Sequence, residues 1–121
     1  MSERKRSTAL SPPEFLLLVQ WGHRLRQAFG EMPYLVGSCE QGGPYRDVDV
    51  RIGLSGKRYA RFCDKGLERP VTLNMALSLW GRQVTGLPID FQFQGPSEFH
   101  EFDGQSRNPI GIEPQLRWRK A

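Results

Sequence analysis

Cysteine and histidine are scarce in this chain: two of each, Cys39, Cys63, His23 and His100, among 121 residues. None has the short spacing of a zinc ligand pair. That argues against a structural zinc site and a disulfide framework, and two free thiols in a reducing cytosol are expected. Long apolar runs are missing as well, with nothing near the roughly 20 residues that a membrane span needs. The first residues, Met1 to Thr8, carry charge with no apolar stretch behind it, unlike a signal peptide. A cytoplasmic location without a membrane partner is expected. Bulk charge of one sign is also lacking: 17 basic residues against 13 acidic ones leave only +4. Much of the excess sits in Arg4, Lys5 and Arg6 and in Arg117, Arg119 and Lys120. Such tails can touch phosphates, but an excess this mild does not single out a nucleic-acid-binding module.

What is present is enough for one domain with one core. Residues 1–10 read as a flexible basic tail and 11–121 as a single domain. Its motif-bearing core is 12–94, followed by an irregular segment, 95–121, broken by Gly95, Pro96, Gly104, Pro109, Gly111 and Pro114. Ser11-Pro-Pro-Glu14 has the form of a capping box with proline in the first turn. Phe15, Leu18, Val19, Leu25 and Phe29 then recur near helical spacing, and Gly30 suits a stop. A helix over 12–29 follows. Pro33 opens a short apolar strand, Tyr34 to Val36. Residues 39–45 read as a turn or loop. From Asp47 to Leu54 the alternation is strict, with Val48, Val50, Ile52 and Leu54 on one face and Asp47, Asp49 and Arg51 on the other. Residues 57–69 read as a short helix or loop. A helix over 73–84, capped by Thr72, carries Leu73, Leu77, Trp80 and Val84 on one face. Ile89, Phe91 and Phe93 then alternate with Asp90, Gln92 and Gln94. These elements imply an α+β fold: a small mixed β-sheet with helices packed on one face.

The carboxylates hold the chemistry. Residues two apart on a strand share a face, so Asp47 and Asp49 project together, opposite the core. Asp90 occupies the polar face of its own strand. Aspartate is disfavoured within strands, yet three of them fall in two strand patterns here. If the strands are neighbours, three oxygen ligands converge, as hard divalent cations such as Mg2+ or Mn2+ require. A metal pair so held can serve phosphoryl or nucleotidyl displacement. Upstream, Gly37-Ser38 ends a strand. Glycine lets backbone approach a phosphate closely, and the serine hydroxyl and following N–H groups can donate to it.

Taken together, Gly37-Ser38, Asp47-x-Asp49 and the later strand residue Asp90 resemble the signature of the nucleotidyltransferase superfamily, with its polymerase-beta-like fold. The order of elements, with a helix before the Gly-Ser strand and another between the second and third acidic strands, is similar over residues 12–94. The short length, and Leu79-Trp-Gly-Arg-Gln-Val-Thr-Gly-Leu-Pro-Ile-Asp-Phe-Gln92, resemble minimal members from phages and bacteria. The resemblance implies a metal-dependent transfer of a nucleoside monophosphate from an NTP to an acceptor hydroxyl, releasing pyrophosphate. The acceptor class (RNA, protein or small molecule) is not implied. By the same resemblance Asp47 and Asp49 bind both metals, Asp90 binds the catalytic metal and helps activate the acceptor, and Gly37 and Ser38 hold the triphosphate. Family members often carry a basic residue soon after Gly-Ser. Here Cys39 to Tyr45 contains none. The rival readings are a non-catalytic protein of the same fold, antitoxin-like or regulatory, with a partner protein, and a small nucleic-acid-binding module.

The remaining chemistry-bearing residues have plainer readings. Lys57, Arg58 and Arg61 form a solvated basic loop or neutralise phosphate. Arg51 either contacts substrate or pairs with an aspartate. Arg82 and Gln83 face solvent, and His23 sits on a helix surface. Trp21, Trp80 and Trp118 offer stacking platforms for a base, although Trp80 at helical spacing reads as core.

Overall fold

The computed structural model describes residues 8–99 and 107–112. The basic residues of both tails, His100 and Trp118 lie outside these. Helix α1 (Pro12–Phe29) starts where the capping box places it. The Ser11 hydroxyl accepts from the Glu14 N–H, and the Glu14 carboxylate accepts from the Ser11 N–H. It ends at Gly30, whose φ of 75° a side chain would resist. Strand β1 (Pro33–Val36) follows and runs straight into α2 (Gly37–Glu40), a single turn. The loop expected over 39–45 is therefore shortened at its start. Strand β2 (Val48–Gly53) leads through α3 (Gly56–Phe62) to α4 (Glu68–Thr85). After β3 (Ile89–Gln94) come α5 (Pro96–Phe99) and β4 (Asn108–Pro109). So part of the segment expected to be irregular is ordered.

Strand β2 is one residue shorter at each end than the alternation from Asp47 to Leu54 implies, and two boundaries differ by more. Helix α4 begins at Glu68, not near Leu73, and Thr72 lies inside it without capping anything. Pro70 is the reason: proline belongs in a first turn, where its missing N–H costs nothing. At the other end of the chain, Thr8 to Leu10 are not loose. Leu10 is buried, and the Ala9 N–H donates to the Cys39 carbonyl. Among the described residues no helix is long and apolar enough to cross a membrane.

The sheet has four strands in the order β3-β2-β1-β4. Strand β1 is antiparallel to β2 and to β4, while β2 and β3 are parallel. The fold is thus α+β, a mixed sheet with α1 and α4 packed against it. The face carrying Val48, Val50, Ile52, Ile89, Phe91 and Phe93 is buried. Trp21, fully enclosed, meets Phe91 edge-to-face at 6.3 Å. Each fully buried side chain of this size contributes about 1.5–3 kcal/mol. Trp21 is therefore core and no stacking platform. Trp80 is 36% exposed and touches Trp21 by its edge, so its role as core is only partial. Helix α4 comes close because Gly81 lets it: a Cβ there would stand 2.7 Å from the Trp21 ring.

Helix α4 also seals the outer edge of β3. The Asn74 side-chain oxygen accepts from the Phe93 N–H (3.0 Å). The Ser78 hydroxyl accepts from the Phe91 N–H (2.9 Å) and donates to its carbonyl (3.4 Å). Arg82 Nε donates to the Ile89 carbonyl (2.9 Å), so this side chain, expected in solvent, is engaged. Four helical residues rise about 6.0 Å and two strand residues about 6.6 Å. That near match lets one polar stripe follow a strand running the opposite way.

Candidate metal site

The register of the sheet gathers the acidic residues. Asp49 of β2 lies directly beside Asp90 of β3, and beside Val36 of β1. Both aspartates alternate with core residues, so both project on the face opposite the buried one, with Asp90 bordering α4 along the edge of β3. Asp47 precedes β2 by one position. One oxygen from each of Asp47, Asp49 and Asp90 lies within 4.8 Å of the others, a spacing that can hold a metal ion. Asp47 is exposed, while the side chains of Asp49 and Asp90 keep 27% and 35% of their accessible surface. Ions and substrate can therefore reach the cluster.

Glycine at position 37 is dictated by Asp49. Its φ is +79°, and a Cβ would stand 2.5 Å from Asp49 Oδ2. The chain can turn from β1 into α2 past that carboxylate only with no side chain in the way. The Gly-Ser pair and the second aspartate are thus one structural unit. Ser38 is exposed beyond the turn.

Burial holds the Asp49 carboxyl above its ordinary value of 3.8; the Arg51 guanidinium opposes that shift, and the charges of Asp90 and Asp47 add to it. Arg51 is 7% exposed and stands between the two strand aspartates, its Nη2 3.7 Å from Asp49 and 3.5 Å from Asp90. Its Nη1 donates to the Asp90 carbonyl at 2.6 Å and to the Val50 carbonyl at 3.1 Å. Its Nε has no acceptor among the described residues. Of the two roles open to it, pairing with the aspartates is the one seen. Among the described residues Arg51 is the one cation within 4.0 Å of these carboxylates.

Two hollows flank the cluster. One of 430 Å³ is lined by Ser38, Tyr45, Arg46, Asp47 and Asp49. Another of 350 Å³ lies between α4 and β3, with Asp90, Arg82, Met75 and Leu79 among its lining residues. Arg46 supplies the cation that the stretch from Cys39 to Tyr45 lacks. The sequence reading misses it by one position, and its place immediately before Asp47 is the signal that could have found it. Lys57, Arg58 and Arg61 belong to α3, beyond the far end of β2. His23 sits on α1, its Nδ1 3.3 Å from the Gly111 carbonyl, far from the carboxylates in the fold. Cys39 is buried and its thiol is pushed up by that burial, which leaves it inert. Both cysteines are free.

No protein-family model, no curated protein and no solved structure matches this chain. What the site can do rests on its own residues.

Proposed function

We propose that the protein is a metal-dependent nucleotidyltransferase, moving a nucleoside monophosphate from a nucleoside triphosphate to an acceptor hydroxyl and releasing pyrophosphate. The observation that carries this reading is the approach of three carboxylates within 4.8 Å, on an accessible face. The donor set supports it. All ligands are hard oxygens, as Mg2+ or Mn2+ prefers, and the three carboxylates outnumber the one guanidinium paired with them. Bound by Asp47, Asp49 and Asp90, such ions would supply charge neutralisation at the attacking and leaving oxygens. The chain's own groups do the rest. The Ser38 hydroxyl donates to the terminal phosphates and the Arg46 guanidinium pairs with them. Gly37 keeps the backbone out of their way. Asp90, which lines the hollow beside α4, takes the proton of the acceptor hydroxyl as its oxygen attacks the α-phosphorus. The bond from that phosphorus to pyrophosphate breaks in line. Such transfer needs positioning and electrostatics more than covalent chemistry.

The test incubates the protein with each α-labelled NTP, Mg2+ or Mn2+, and a bacterial extract. Label should pass to RNA, protein or a small molecule, and the Asp90→Ala variant should transfer none. Wild-type protein that labels nothing with any of the four would remove the catalytic reading. A second reading has one specific observation in its favour. Arg51 already occupies the space between Asp49 and Asp90, as a cation would in a fold kept for binding a partner protein. Calorimetry with Mn2+ and a non-hydrolysable triphosphate separates the two. Equal heats from wild type and Asp49→Asn favour the non-catalytic partner.

A further inference from the structure

At the other end of the parallel strands, on the buried face of the sheet, lies a hollow that the carboxylate site does not use. It measures 270 Å³. Its floor is three phenyl rings from three elements: Phe29 of α1, Phe62 of α3 and Phe93 of β3. Phe93 meets the other two edge-to-face, at 5.1 and 5.0 Å. Its rim is three guanidinium groups, Arg58, Arg61 and Arg69. Asp90 and Phe93 are three residues apart on β3 and project to opposite faces, so hollow and carboxylates are separated by the sheet itself.

The rim charges are only partly balanced. Arg58 pairs with Glu31 and donates to the Phe29 carbonyl. Arg61 and Arg69 have no carboxylate within 4.0 Å among the described residues, although Asp64 and Glu68 are their close neighbours in sequence. From Lys57 to Arg69 five basic residues stand against two acidic ones. Unpaired cations gathered over an apolar floor repel one another, and an anion with a flat body relieves both conditions. A guanidinium fork matches phosphate bidentately and stacks on flat rings. Aromatic floors receive bases without regard to sequence.

We propose that this hollow binds one nucleotide unit, its phosphate on Arg61 and Arg69 and its base against the phenyl floor. At 270 Å³ it is smaller than the roughly 300–1,000 Å³ of sites for drug-sized ligands, so it takes a single unit, free or within a strand. Arginine on the rim in place of lysine, with rings beneath, favours a nucleotide over an acidic peptide. The proposal does not depend on the transfer reading.

Fluorescence anisotropy with labelled single-stranded oligouridylate of about ten nucleotides tests it at low salt. Wild type and Asp49→Asn should bind alike. The Arg61→Ala/Arg69→Ala variant should bind about tenfold more weakly or worse. The slope of its log K against log salt should fall by about 0.7, the change for one phosphate no longer neutralised. Its melting temperature should stay unchanged, since both side chains are exposed and unpaired. Displacement of the oligonucleotide by adenosine 5′-monophosphate supports a free nucleotide as occupant; resistance to it supports a unit within a strand. Equal affinity and slope for wild type and the double variant overturn the proposal. So does tighter binding of a Glu/Phe peptide than of the oligonucleotide.

Discussion

Gly37 shows how narrowly one residue can tie backbone to chemistry. With alanine there, the added Cβ meets Asp49 Oδ2 and the backbone leaves its left-handed conformation. Gly37→Ala should lose about 1–3 kcal/mol of stability by denaturant titration, and Mn2+ binding should fall with it in calorimetry. Asp49 gives a prediction of opposite sense. The folded chain holds its proton to higher pH than the unfolded chain does. Its contribution therefore favours folding below the ordinary value of 3.8 and is lost as pH rises through the folded value. At neutral pH its ionised form is a cost. Without metal, Asp49→Asn should melt higher than wild type near neutrality, and the gain should shrink as pH falls toward 3.8. At this scale the sequence is informative for Asp47, Asp49, Asp90 and Gly37, because alternation and turn chemistry are local. For Arg51 it gives the face and the choice of pairing with an aspartate, but not the position between two strands, which is a property of pairing; it is silent on Arg46, whose hollow is closed by a turn from elsewhere.

Among the elements, α1 and β3 are legible to the residue. A capping box, a glycine stop and a period of two are all written in neighbouring positions. Helix α4 is five residues longer at its start than its apolar period implies. That period begins only at Leu73, while the first turn is specified by Pro70. Nor can periodicity reveal that Asn74, Ser78 and Arg82 attend to the edge of a strand, since a polar stripe on a helix looks the same when it faces water. The stripe makes a direct prediction. Ser78→Ala leaves the Phe91 N–H with no partner in a buried place. The loss should be about 1–3 kcal/mol by chemical denaturation, and the Phe91 amide should exchange faster with solvent.

For the molecule as a whole, the division between the two faces of the sheet separates stability from chemistry. Phe91→Ala empties a site between Trp21 and Phe93 and should cost about 3–5 kcal/mol. The adjacent Asp90→Ala removes one of three mutually repelling carboxylates, so its melting temperature should hold or rise while transfer is lost. Activity that declined with Asp90→Ala only in step with unfolding would make Asp90 structural. The topology adds a consequence in time. Asp49 and Asp90 meet only through the parallel pairing of β2 with β3, and that pairing must wait for α3 and α4 to cross over. Contacts so distant along the chain form late. A growing chain emerging from the ribosome thus presents Gly37, Ser38, Asp47 and Asp49 well before Asp90 joins them, and whatever the cluster binds can be engaged only once β3 has been made and has paired with β2.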